Sequence, residues 1–199
     1  MVALRKVDLA PSDVDEVDEV DEVDDVDELD ASIAELDASP KRQLSLKRKR
    51  LGNDHPDTLR SMEYLASIYN LKGQYAKALA LKKELLSLRI DKLGASHPDT
   101  LHSMNELANT YAALDQLEEA LELREKVLSF RRDTLGDIHP DTLASIKGLA
   151  IIYRALGKHN KALELSELLL LINQAVLTSD HPDALAARHS LVIDYIVLG

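Results

Sequence analysis

From residue 54 onward the apolar positions fall into two alternating patterns. Leu101, Met104, Leu107, Ala108, Tyr111 and Leu114 recur at i, i+3, i+4 and i+7, the spacing that places side chains on one face of a helix. A break at Asp115-Gln116 follows. Then Leu117, Ala120, Leu121, Leu123, Val127, Leu128 and Leu135 mark a longer helix, which Gly136 is expected to end as a C′ residue in the left-handed conformation. A similar pair of patterns lies on either side, with Gly73 and Gly157 at the position of Asp115. Each first helix opens at a proline, Pro56, Pro98, Pro140 or Pro182, whose missing N–H costs nothing in a first turn. Asp54, Ser96 and Asp180 are the expected N-caps, with the aspartate three residues on reaching back as in a capping box. The third pair has Ile138 at that position, so His139 is its expected cap.

The pattern is periodic. His55-Pro56-Asp57-Thr58 returns as His97-Pro98-Asp99-Thr100, as His139-Pro140-Asp141-Thr142 and as His181-Pro182-Asp183-Ala184, each 42 residues after the last. Leu65, Leu107, Leu149 and Leu191 keep that register, as do Tyr69, Tyr111, Tyr153 and Tyr195, and Ala78, Ala120 and Ala162. Such self-similarity is the signature of a stacked repeat architecture, here built from two helices per unit. The tyrosines recur at an apolar register and are expected to pack between helices.

The residues that recur also carry a family resemblance. Small Ala66, Ala108 and Ala150, the tyrosine three residues on, the turn glycine and the alanine five beyond it resemble the tetratricopeptide pattern. The 42-residue period and the Leu-Gly-x-x-His-Pro-Asp-Thr-Leu linker resemble the kinesin-light-chain type of that array, found also as the sensor end of fungal nucleotide-binding receptor proteins. Departures are Asp115 in place of glycine, Val192 in place of the small alanine, and Asn105 standing alone where the family often has paired asparagines. The resemblance implies an all-α helix-turn-helix solenoid over residues 39–199, with whole pairs at 54–95, 96–137 and 138–179. Partial units at 39–53 and 180–199 flank them, and Ser39 is the expected cap of the first. The array therefore reads as a segment of a longer one. Its last helix carries Leu185, Leu191, Val192, Ile193, Ile196 and Val197, an apolar surface expected to associate with another copy or with a missing neighbour.

Residues 1–38 read differently. Val14 to Asp30 has an apolar residue every third position and 12 acids between Asp13 and Asp30, so repulsion opposes compaction and a disordered acidic tail is expected. The net charge of −11 belongs to this tail: residues 1–40 carry 15 acids and 2 bases, and the remainder is close to neutral. Specific nucleic-acid binding is not expected, since phosphate neutralisation needs concentrated lysine and arginine. No apolar run approaches the ~20 residues of a spanning helix, and with no cysteine and no export signal the expected location is cytoplasmic. The cluster Lys47-Arg48-Lys49-Arg50, with Lys41-Arg42, resembles a nuclear import signal; the plainer reading is a solvated helix end.

Candidate chemistry is sparse. The four motif histidines lie one repeat apart and cannot share a metal. No nucleotide-binding glycine loop or nucleophile elbow occurs, so no cofactor, metal or catalytic residue is expected. What a helix-pair array offers is a long surface lined by its first helices. On the register the resemblance implies, that surface holds Arg60, Glu63, Ser67 and Asn70, then His102, Asn105 and Asn109, then Lys147, Ile151 and Arg154, then His189. Amides there can pair with a ligand's backbone and cations with its acids. The expectation is a protein or peptide ligand in a concave groove. The rivals are a self-associating structural array and the detached sensor region of an immune-type receptor.

Overall fold

The computed structural model describes residues 39–176 and 181–198, and the expectations for residues 1–38 and for Asp180 lie outside them. Among the described residues there are eight helices and no strand. Helix α1 covers residues 39–51. It is followed by α2 (Pro56–Leu71), α3 (Tyr75–Leu93), α4 (Pro98–Ala113), α5 (Leu117–Leu135), α6 (Pro140–Ala155), α7 (His159–Val176) and α8 (Pro182–Leu198). From α2 to α8, each helix packs on its sequence neighbours. Three whole pairs, α2/α3, α4/α5 and α6/α7, thus stand between α1 and α8.

The helix starts correct the sequence reading. Proline at the first helical position makes the preceding histidine the N-cap, not the residue before it. His55, His97, His139 and His181 each accept the backbone N–H two residues on through Nδ1, at 3.1–3.2 Å. That bond meets one of the orphan donors of the first turn. Asp54 and Ser96 do not cap. Ser39 is itself helical, so it does not cap α1.

The turns inside each pair are Schellman motifs. The N–H of Gln74, Gln116 and Lys158 returns to the carbonyl of Tyr69, Tyr111 and Tyr153, and the residue before each bonds three back. Glycine fills the left-handed position at 73 and 157, but Asp115 holds φ 59 there. A side chain in that region is strained, so Asp115→Gly should raise the unfolding free energy by ~1 kcal/mol. Urea denaturation checks this, and a lowered midpoint would contradict it. The long helices end differently from expectation. Gly136 is the C-cap itself, at φ 84 and ψ 169, in the extended mirror region that is essentially open only to glycine. Leu135 beside it is exposed rather than part of the apolar stripe.

The core runs along the stack as a series of clusters that straddle the junctions between pairs. Leu44 of α1 joins Leu59, Met62, Leu65 and Leu85; Leu86 joins Leu101, Met104, Leu107 and Val127; Leu128 joins Ile146, Leu149, Leu169 and Ala187. Ala66, Ala108, Ala150, Ala78, Ala120 and Ala162 are all buried, which lets helix axes approach closely.

Polar ties repeat in step with the core. Near the end of each second helix a long side chain reaches the first turn of the next first helix. Lys47 donates to Ser61 Oγ (2.7 Å), Arg89 to Ser103 Oγ (2.5 Å) and Arg131 to Ser145 Oγ (2.8 Å), and each also donates to the carbonyl of the motif aspartate. Among the described residues Asn173 keeps the carbonyl bond alone, to Asp183, because Ala187 replaces the serine. Tyr69, Tyr111 and Tyr153 pack between helices, whereas Tyr195 is exposed; Lys41 and Lys83 lie 5.6 and 5.3 Å from the ring centres of Tyr69 and Tyr111. Where the equivalent residue is acidic, the phenol donates instead, Tyr153 to Glu125 at 2.6 Å and Tyr195 to Glu167 at 2.9 Å.

Burial, reinforced by the hydrogen bond to Glu125, pushes the Tyr153 phenol up to about 12. A raised phenol favours the folded chain fully below the ordinary value of about 10 and loses that contribution as pH climbs to about 12. Stability should therefore fall between those limits, and Tyr153→Phe should flatten the fall. Phenolate absorbance followed with the unfolding midpoint tests it.

Helix α8 matches the expected apolar surface only in part. Leu185, Val192 and Ile196 are exposed, whereas Leu191 and Ile193 are half-buried. In their midst Asp194 is fully buried.

Candidate interaction face

The outward face of each first helix follows from its buried one. In α2 the buried positions are Thr58, Leu59, Met62, Leu65, Ala66 and Tyr69, so Arg60, Tyr64 and Ser67 point away from the core, with Glu63 and Asn70 at the edges. The same register sets His102 and Asn109 outward on α4 and Ile151 on α6, while Lys147 on α6 and His189 on α8, at the edge register of Glu63, are exposed.

Several expected ligand residues are instead engaged by partners on their own or neighbouring helices. Glu63 accepts Arg89 Nη2 at 2.9 Å and lies 3.2 Å from His102 Nε2. Asn70 donates to Thr110 Oγ1 at 3.3 Å. Asn109 donates to Glu106 and accepts Arg124 Nη2 at 2.6 Å. Arg154 is bound by Asp194 at 2.5 Å and by Ser190 Oγ at 2.7 Å. Arg60 and Ser67 bond only within α2, to Asp57 and to the Glu63 carbonyl. Asn105, Lys147, Ile151 and His189 have no side-chain hydrogen bond or ion pair among the described residues.

Second-helix residues also reach this face, which the reading of first helices alone missed. Lys82, 4% exposed, donates to the Glu106 carbonyl (2.9 Å) and carboxylate (3.0 Å). Burial alone would raise the Glu106 carboxyl, but the Lys82 ammonium outweighs it and holds the group below its ordinary range. One repeat on, Arg124 lies flat against α6, where a Cβ on Gly148 would collide with its guanidinium. Gly148 thus makes the room for Arg124. Burial pulls that guanidinium down and Glu106 opposes the shift. A further repeat on, Ser166 donates to Asp194 at 2.5 Å. The signal was present as polar residues recurring at 82, 124 and 166 within an apolar stripe.

Two cavities open along this side. One of about 190 Å³ lies between α2, α3 and α4, walled by Glu63, Lys82, His102 and Glu106. The other, about 230 Å³, lies between α6, α7 and α8, walled by Leu143, Lys147, Leu169, Asn173, Ala186 and Ala187. The second is more apolar because Lys147, Asn173, Ala186 and Ala187 stand where Glu63, Arg89, His102 and Ser103 stand at the first junction. In the basic cluster of α1, Lys47 is bound by Ser61 and Arg48 by Glu84, so half of Lys47–Arg50 is committed to packing. Among the described residues no group of histidines and carboxylates could hold a metal ion, and no helix is long and apolar enough to cross a membrane.

Paired helices with small residues at their crossings and a 42-residue period define a tetratricopeptide array. The tetratricopeptide repeat profile matches residues 64–133 and 99–170, and the chain belongs to that family. Within it the chain is of the kinesin-light-chain type. It resembles the nearly identical TPR-like repeats of a Podosopora anserina kinesin light chain, with 34% identity, a TM-score of 0.77, and coverage of 86% of this chain and 81% of that one. A singly substituted form of that protein matches equally. BtubC (BKLC) from P. vanneervenii shares the fold alone, with 17% identity and a TM-score of 0.71 over 88% of this chain and 70% of that one. No curated protein matches the chain.

Proposed function

We propose that this protein is a non-catalytic scaffold that holds an extended polypeptide along the outward face of α2, α4, α6 and α8. Tetratricopeptide arrays act as protein-interaction scaffolds, and the finer reading here rests on side chains that the fold leaves unused. The observation that carries it is Ile151: an isoleucine 49% exposed on a first helix, one turn beyond an exposed Lys147 without an ion partner among the described residues. An apolar contact beside a cation suits a segment that pairs apolar and acidic residues. The amide of Asn105 and the imidazole of His189 extend the row toward either end. A cytoplasmic setting agrees with this reading.

The test is peptide selection. A random displayed library is panned on the full chain, and a selected peptide's affinity is measured by calorimetry. Burying an Ile-sized side chain contributes ~1.5–3 kcal/mol, so Ile151→Asp should weaken binding about tenfold or more. Ser87→Asp, on the exposed side of α3, should leave it unchanged. The reverse order would overturn the proposal.

Self-association through α8 is the second reading, favoured by exposed Leu185, Val192, Tyr195 and Ile196. Sedimentation should then show concentration-dependent dimers that Ile193→Lys and Ile196→Glu together weaken. A monomer at every concentration would remove this reading and leave the peptide face as it stands.

A further inference from the structure

The second-helix side carries a charged groove that the interaction face does not use. It has a volume of about 620 Å³ and lies between α1 and α3, with Leu65 and Tyr69 of α2 as its floor. Lys41, Ser45, Arg48 and Lys49 line it from α1, and Lys77 and Glu84 from α3. Arg48 Nη2 donates to Glu84 at 2.7 Å, while Lys41 and Lys77 stand 5.6 and 5.7 Å from the Tyr69 ring centre. Ser45 is exposed and lines this groove from the middle of α1. One turn to either side lie Lys41 and Arg42, then Arg48 and Lys49, four cations and no acid. The serines at the equivalent repeat positions differ: Ser87 has Glu84 and Asp91 at those offsets, and Ser129 has Glu125 and Asp133.

We propose that Ser45 is a phosphorylation site and that this groove seats its phosphoryl group. The Ser45 oxygen attacks the terminal phosphorus of a nucleoside triphosphate held by a separate kinase. The Oγ–P bond forms, the bond to the bridging oxygen breaks, the nucleoside diphosphate leaves, and the hydroxyl proton passes to the kinase's base. Arg42, three residues before the acceptor, supplies the fixed charge that basophilic kinases read, and exposed Leu46 follows it. Once formed, the group brings a charge of about −1.5 to −2 and three acceptor oxygens among cations at i±3 and i±4. It removes about half to two-thirds of the groove's excess positive charge, which Lys41, Arg48, Lys49 and Lys77 set against Glu84, and ties α1 to Lys77 of α3.

The experiment incubates the full chain with the catalytic subunit of a basophilic serine kinase and magnesium ATP. Tandem mass spectrometry locates the phosphate, and thermal unfolding compares the two forms. Incorporation is expected at Ser45, is abolished in Ser45→Ala, and is slowed about tenfold in Arg42→Gln, the loss of one charge-assisted contact. The modified chain is expected to melt at a higher temperature, a rise that Lys41→Gln with Lys49→Gln removes. Undiminished incorporation in Ser45→Ala, labelling of a peptide of residues 39–51 but not of the chain, or a lowered melting temperature would each overturn the proposal.

Discussion

Asp194→Ala is expected to destabilise the chain by about 3–5 kcal/mol, the usual cost of leaving one member of a buried ion pair unpaired. Asp194 is fully buried and accepts Arg154 through both carboxylate oxygens, at 2.5 and 3.2 Å, with Ser166 Oγ at 2.5 Å. Removing it strands the Arg154 guanidinium between α6 and α8. Asp194→Asn keeps the volume and the Ser166 bond but not the charge, so it should fall between the parent and Asp194→Ala. Replacing Arg154 with Met and Asp194 with Leu together should recover most of the loss, since apolar pairs of similar volume replace buried ion pairs well. Equilibrium urea unfolding measures all three, and a loss under about 1 kcal/mol for Asp194→Ala would mean that the pair is open to water.

Ala108→Leu should cost ~1–3 kcal/mol by overpacking. The Ala108 side chain has no exposed surface and packs against Ala120 of its own pair and Ile152 of the next. The added carbons there must push α4 away from α5 or from α6. The same change at Ser67, exposed on α2, should be near neutral because nothing is displaced. Equal effects at the two sites would contradict the register on which the whole stack is built.

The stacking was legible because its causes are local and repeated. An alanine where axes cross, a proline at the start of each first helix and a glycine after α1, α3 and α5 act through backbone geometry, and they recur with the 42-residue period. The expected cap His139 is the one observed, but Asp54 and Ser96 were misplaced because general cap preferences rank aspartate and serine first, while the proline's position hands the role to histidine. The interaction face was legible only as a list of outward positions. Glu63, Asn70, Asn109 and Arg154 are bound by partners 15 to 40 residues away, a pairing that register along one helix does not reveal. The α8 pattern hid Asp194 for the same reason: a lone acid in an apolar helix looks solvated until Arg154, 40 residues earlier, is seen against it.

The central claim is that the first helices, and not the second, form the binding surface. Amide hydrogen exchange of the full chain with and without a saturating selected peptide tests it most directly. Protection gained on binding should concentrate in α4 and α6, around Asn105, Lys147 and Ile151, with α3 and α5 unchanged. Protection confined to α3, α5 and α7 would contradict it.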